Sequence, residues 1–285
     1  LEIENKYWTI LIVPWKKDSV QVEADIYLEA KNNSKLRKLK NDIRINSTST
    51  RTYVLVRTLI GEGNARIASE LRTLTNTLSN SSKVEINYTI YLPEYLNLVL
   101  NNKFGDIYID DMNGDVDITL SNGVLKANSF NGDATIELLF AKGTIRNLGT
   151  ATLRKSYWWL ILKSVEQLDL SGKSSTVEID TAGIVKIDSR RDKINFNEVE
   201  YLYGSSSFTD VRVRNFIREA DCDMKYGTLI IDKIQPEFTR IDITSDFTDL
   251  TLYFPPESKY LLDIIHNEDV ILNLPRQNSE ISTIR

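Results

Sequence analysis

The chain has 285 residues, 41% of them hydrophobic and 26% charged, with a net charge of −5 at pH 7. That length can bury a substantial core in one elongated domain or two small ones, and charge spread along the chain without a basic block argues against nucleic acid as a partner, because phosphate neutralisation dominates that affinity. A single cysteine, Cys222, excludes an internal disulfide, and no run of about 18 uncharged apolar residues exists to span a membrane as a helix.

The chain opens on "NKYWTILI" (Asn5 to Ile12), the apolar-polar alternation of a half-buried strand. From about Val20 to Leu92 further alternations ("SVQVEADIYLEA", "DIRINS", "TYVLVRTLI", "KVEINYTIYL") are interrupted by two helical patterns. The first covers residues 34–41, with Leu36 and Leu39 three apart and Ser34 as N-cap. The second covers residues 65–78, where Ile67, Leu71, Leu74 and Leu78 form an apolar stripe.

From Phe104 onward the chain becomes a succession of short alternations ("DIYI", "DVDI", "VLKA", "ATIEL", "WLILK", "QLDL") separated by turn residues. Gly105, Gly114, Gly123 and Gly132 fall at steps of nine, and fixed spacing over several units signals repeats. Two nine-residue pieces make a unit of about 18, headed by Phe104, Asn122, Phe140 and Tyr157 and, more loosely, by Phe208, Tyr226 and Phe247, the last two 21 apart. The repeated phrase is an aromatic, two variable residues, then two apolar residues separated by one: "FGDIYI", "YWWLIL", "FTDVRV", "YGTLII", "FTDLTL". The opening "NKYWTILI" parallels "NKFGDIYI" at Asn102.

A single such unit buries too little to fold alone, whereas stacked units share strand ladders and a common core. The expectation is an all-β β-solenoid, a single-stranded β-helix with two short strands per coil of about 18–21 residues, wound right-handed. Open solenoid ends expose strand edges. Residues 1–92 are therefore expected to supply strands and two short helices that cap a solenoid over 93–285, with a separate N-terminal domain or one continuous domain as alternatives. Pro255-Pro256, "YLLDII" and Pro275 predict proline-terminated edge strands that close the far end.

Catalytic chemistry is poorly supplied. His266, the only histidine, lies in the turn-like "IIHNED", and Cys222 in "EADCDM" has acidic neighbours that oppose a reactive thiolate. Asp106, Asp110, Asp111, Asp115 and Asp117 raise the possibility of a calcium-binding nonapeptide roll. The double-glycine turn of such rolls is missing, which favours turn-capping aspartates. Two carboxylates on adjacent coils could also serve glycoside cleavage. Tyr7, Phe104, Tyr157, Phe208, Tyr226 and Phe247 share one position of the phrase, so they line up in a column; a stacked core or corner ladder is expected, with a ligand-facing strip as the alternative. Adjacent strand residues face opposite sides, so one of Trp158 and Trp159 should be exposed. With Tyr157 and Trp8 they form the candidate binding surface.

The run from Leu92 to Gly132, through "NKFGDI", "NGDVDI" and "LSNG", resembles a bacterial adhesin domain family of unknown function, common in Bacteroidetes and similar to the head-domain auto-transporter adhesins. "NKYWTILIVPWKKDSVQVEADIYLEAKN" looks like that family's opening strands. The resemblance implies a β-solenoid that is exported or attached to the cell envelope, with adhesion as its role and no catalytic residues. Trp8 in place of the glycine at Gly105, and Trp158-Trp159 in place of small residues, depart from its pattern. The sequence opens at Leu1 without Met, and a removed signal segment is expected upstream. The resulting expectation is a non-catalytic, adhesin-like module in the periplasm or at the cell surface, presenting a solenoid face to a protein or glycan, without cofactor or metal. The alternative is a structural scaffold that self-associates; a polysaccharide lyase or glycosidase on a β-helix ranks below both.

Overall fold

The computed structural model describes residues 1–7, 9–60, 82–256, 259–266, 271 and 273. The chain is nearly all β, 72% strand and 4% helix, and winds into a parallel solenoid of about 9 turns. Each coil gives one strand to each of two facing walls. The first wall holds β7 (Leu98–Phe104), β9 (Val116–Ser121) and β11 (Ala134–Leu139), and the second holds β8 (Ile107–Ile109) and β10 (Val124–Phe130). Beyond these the ladder runs unbroken round the corner. β12 (Lys142–Ser156), β13 (Trp159–Lys173) and β14 (Thr176–Arg190) each start in the second wall and finish in the first wall of the following coil, and β15 (Lys193–Ile231) and β16 (Arg240–Leu252) complete the column.

Parallel in-register pairing places equivalent residues directly above one another. Ile107, Leu125, Gly143, Leu160, Val177 and Ile194 form one inward row of the second wall. Leu98, Val116, Ala134, Ala151, Leu168 and Val185 form one in the first. All are buried in one continuous core, each Leu or Ile contributing about 1.5–3 kcal/mol on burial. The period-2 alternation of the sequence is thus the alternation between core and solvent.

The beginning of the chain lies inside the column. β1 (Glu2–Tyr7) pairs with β7 on one side and with β5 (Val54–Ile60) on the other, and β2 (Ile10–Trp15) sits between β8 and β6 (Ser82–Pro93). The two similar phrases are therefore direct neighbours, with Asn5 opposite Asn102, Tyr7 opposite Phe104 and Ile10 opposite Ile107. Strands on both sides of residue 92 share one sheet and one core. β3 (Gln21–Ala30) and β4 (Ile43–Ser49) pair antiparallel with β6 and β5 and end the parallel stacking. α1 (Asn33–Asp42) joins these two edge strands and buries Leu39. Its N-cap is Asn32, whose side chain accepts a hydrogen bond from Lys35 N at 2.9 Å, and Ser34, expected in that role, lies inside the helix. The helix expected over 65–78 lies outside the described residues.

Two corners per coil explain the nine-residue glycine spacing. Gly105 and Gly123 stack at one corner, where a Cβ on Gly123 would come 2.0 Å from Gly105 O. At the other, a Cβ on Gly132 would come 2.6 Å from Gly114 O. The far end differs from expectation. β16 is the last strand, and the described residues beyond it carry none, because consecutive prolines remove two ladder donors. Instead Phe254 packs edge-on to Phe238 at 5.7 Å and stacks on Tyr260 at 4.3 Å.

Gly123→Ala is expected to destabilise the fold by about 1–3 kcal/mol, because backbone rather than a side chain would have to move. Gly149→Ala, where a Cβ would sit 3.3 Å from the nearest backbone oxygen, should cost clearly less. Equal urea midpoints for the two variants would refute the close coil-on-coil approach at the first corner.

Candidate functional site

At the corner that leads from the first wall to the second, one residue per coil from Asn122 onward adopts a left-handed conformation. These residues are Asn122, Phe140, Tyr157, Ser174, Arg191, Phe208, Tyr226 and Phe247, with φ between 48° and 59°. Successive steps of 18, 17, 17, 17, 17, 18 and 21 give the coil lengths. Tyr157 is 50% exposed and Phe247 81%, and Phe104, Phe140, Phe208 and Tyr226 are also exposed. The aromatic column therefore stands outside as a corner ladder, and of the two expected placements the stacked core is the one the structure rules out for these residues. The physical reason is the turn itself: the following residue points inward and fills the corner, as Ala141, Trp158, Ser175, Asp192 and Thr209 do, all buried.

Rung spacing of about 4.8 Å suits face-to-face rings. Phe140 and Tyr157 stack at 5.0 Å and 7°, Phe208 and Tyr226 at 4.8 Å and 8°, and Tyr226 and Phe247 at 5.1 Å and 2°. Ser174 and Arg191 interrupt the row, the Arg191 guanidinium lying 5.8 Å from the centre of the Phe208 ring.

The structure separates the expected binding residues. Trp158 is only 4% exposed and belongs to the core, which removes it from the candidate surface. Trp159 is 42% exposed on the outer face of the second wall, two positions from exposed Tyr157. Trp8 lies outside the described residues.

Around Trp159 the second wall gathers residues that the linear sequence scatters. Tyr108, Lys126, Thr144 and Ile161 occupy one outward row across four coils, and Lys142 is the rung neighbour of Trp159. Arg146 and Lys163 lie two positions further along their strands, and Leu11 is the rung neighbour of Tyr108. Together Leu11, Tyr108, Lys126, Arg146, Ile161 and Lys163 line a shallow depression with Asp110 at its margin. Lys126 Nζ lies 5.7 Å from the centre of the Tyr108 ring, and Lys142 Nζ lies 5.7 Å from the centre of the Trp159 ring. Sequence reading missed the four cations and Tyr108. The available signal was the coil length: outward positions 17 or 18 apart, such as Tyr108 and Lys126 or Arg146 and Lys163, become neighbours.

The acidic residues serve the backbone. Asp106 Oδ1 accepts from Val124 N at 2.9 Å, Asp111 Oδ1 from Ser129 N at 3.1 Å and Asp115 Oδ1 from Asp133 N at 3.2 Å, each donor 18 residues on in the next coil. Asp110 Oδ1 accepts from Asn128 Nδ2 at 3.2 Å. Partial burial, then the neighbouring Glu137 charge, holds the Asp117 carboxyl above the usual aspartate range. Among the described residues no group of three or more His, Cys, Asp and Glu could hold a metal ion. Cys222 is buried, its Sγ donates to Leu202 O at 3.6 Å, and desolvation, then Asp221, pushes the thiol up to about 12. His266 is exposed in a segment without strand or helix.

One carboxylate is drawn into the interior. Asp192 fills a corner position and accepts from Ser175 N at 2.7 Å through Oδ1 and from Ser189 Oγ at 2.7 Å through Oδ2, while Ser189 Oγ lies 3.0 Å from Thr209 Oγ1. Gly172 makes room, since a Cβ there would come 2.5 Å from Asp192 Oδ2. Desolvation raises the Asp192 carboxyl above the ordinary value despite these donors.

No family model matches the chain, and no curated protein matches it. Among the described residues no helix is long and apolar enough to cross a membrane.

Because Asp192 is raised in the folded state, the native protein binds its proton more tightly than the unfolded chain does. Its contribution is complete below the unfolded aspartate range and is lost as pH rises through the higher folded value. Relative to Asp192→Asn, the wild type should therefore lose stability between acidic and neutral pH, measured by urea unfolding at several pH values. A constant difference between the two proteins would show that the carboxyl is not raised.

Proposed function

We propose that this chain is a non-catalytic binding module of the cell envelope, exported and presenting one wall of a β-solenoid to a glycan or protein. The single observation that carries the reading is the set of exposed aromatic side chains, Tyr157 and Trp159 foremost, held by a continuous parallel ladder. A rigid exposed aromatic offers large contact area at small entropic cost, which is why Trp and Tyr anchor interfaces. The resemblance of the Leu92 to Gly132 run to an adhesin domain family supports the same role and the envelope location.

A second reading, a self-associating scaffold, draws on the last coil. Among the described residues β16 pairs only with β15, and Phe247 exposes most of its ring on top of the Tyr226 stack. Parallel edges of this kind accept further strands.

Trp159→Ala, a surface change expected to cost less than about 0.5 kcal/mol of stability, should weaken binding to immobilised glycans and extracellular-matrix proteins by about tenfold or more. A defined oligomer in solution with no binder on either panel would favour the scaffold. Release of saccharide fragments from a polysaccharide, abolished by Asp117→Asn, would overturn the non-catalytic assignment.

A further inference from the structure

The second wall carries a local charge opposite in sign to that of the whole chain. Lys126, Lys142, Arg146 and Lys163 are all exposed within three successive coils, while the chain as a whole has a net charge of −5. Among the described residues none of the four is ion-paired, although Arg57, Lys83, Arg212, Arg218 and Arg240 each have a carboxylate partner within 4 Å. Two of the carboxylates at the margins accept hydrogen bonds from neighbouring amides. Asp110 accepts from Asn128 Nδ2, and Asp180, in the coil beyond Lys163, accepts from Asn197 Nδ2 at 3.0 Å. Four cations that form no ion pair among the described residues thus lie between two acidic rims.

The same area holds Tyr108 and Trp159, three coils apart or about 15 Å along the column, with Leu11 and Ile161 beside them. Two of the lysines already lean over the two rings, so each aromatic presents an apolar plane next to a positive charge. That pairing matches a sugar ring that carries an anion: the C–H face packs on the aromatic plane, and the carboxylate or sulfate meets the ammonium or guanidinium group.

We propose that this patch binds a linear acidic polysaccharide lying along the solenoid axis. The proposal rests on the binding role above and adds the chemical class of the ligand. A nucleic acid fits less well, because it carries a phosphate at every nucleotide and so must set charge against the acidic rims at Asp106, Asp110, Glu178 and Asp180, whereas an acidic glycan can alternate charged with neutral sugars. An anionic bilayer would press those rims against its own negative surface.

The test measures binding of the intact chain to alginate and heparin, as carboxylated and sulfated probes. Neutral dextran, phosphatidylglycerol vesicles and an oligothymidylate serve as comparisons. Binding to at least one acidic glycan is expected, weakening as salt is added. It should fall about tenfold or more both in Trp159→Ala and in the combined variant Lys126→Gln, Lys142→Gln, Arg146→Gln, Lys163→Gln. Lys193→Gln, on the same wall but outside the patch, should leave binding unchanged, and circular dichroism should show all variants folded. Acidic-glycan binding that the combined variant leaves intact overturns the site. Tighter binding to the oligonucleotide or vesicles overturns the ligand class. If neutral glycans bind through Trp159 and acidic ones do not, this inference fails and the proposed binding role stands. If no glycan or matrix protein binds in a Trp159-dependent way, both fail.

Discussion

The in-register parallel ladder governs everything else in this molecule. Because every coil hydrogen-bonds to the next through nearly its whole length, a residue has its equivalents from neighbouring coils about 4.8 Å above and below it. Each position of the repeat must therefore suit stacking on itself. Branched apolar residues satisfy that requirement inside, where they form unbroken rows such as Ile107, Leu125 and Leu160. Glycine satisfies it at corners where backbone meets backbone, as Gly123 does against Gly105.

The outer corner shows how the ladder offsets local strain. A left-handed non-glycine residue costs roughly 1–2 kcal/mol, and among the described residues the column repeats that conformation at eight such residues. A stacked aromatic pair returns about 0.5–1.5 kcal/mol beyond its buried area, and among the described residues three such pairs occur along the corner. The inner corner follows the same rule with different chemistry. At three successive coils the inward position is polar, and Ser175, Asp192 and Thr209 bond to one another's backbone and side chains from coil to coil. A buried carboxylate is tolerated there because Ser175 N of the neighbouring coil and the nearby Ser189 hydroxyl supply donors to its two oxygens.

Stacking also converts a dispersed sequence into a local field. Lys126, Lys142, Arg146 and Lys163 form no basic block in the sequence, yet coil lengths of 17 and 18 residues bring them onto one side of three rungs. Charge composition alone argued correctly that the chain is acidic and could not reveal a cationic area within it. The capped end has a similar logic, since antiparallel β3 and β4 finish a stack that could otherwise continue through parallel pairing.

Much of the architecture was legible from periodicity. Nine-residue glycine steps, period-2 alternation and the recurring aromatic phrase specified short strands, two corners and a coil of about 18 residues, because each is a local consequence of strand geometry and turn chemistry. The kinship of "NKYWTILI" and "NKFGDIYI" was visible too, but not that the first coil lies between β5–β6 and β7–β8, since order in space depends on long-range pairing. The sequence alone determined what stacks, while the tertiary structure decided which way each stacked residue faces. The aromatic column went outward because a left-handed turn residue leaves the interior to the residue after it. For the same reason Trp158 was buried and Trp159 exposed, a choice that depends on where the corner falls within the coil.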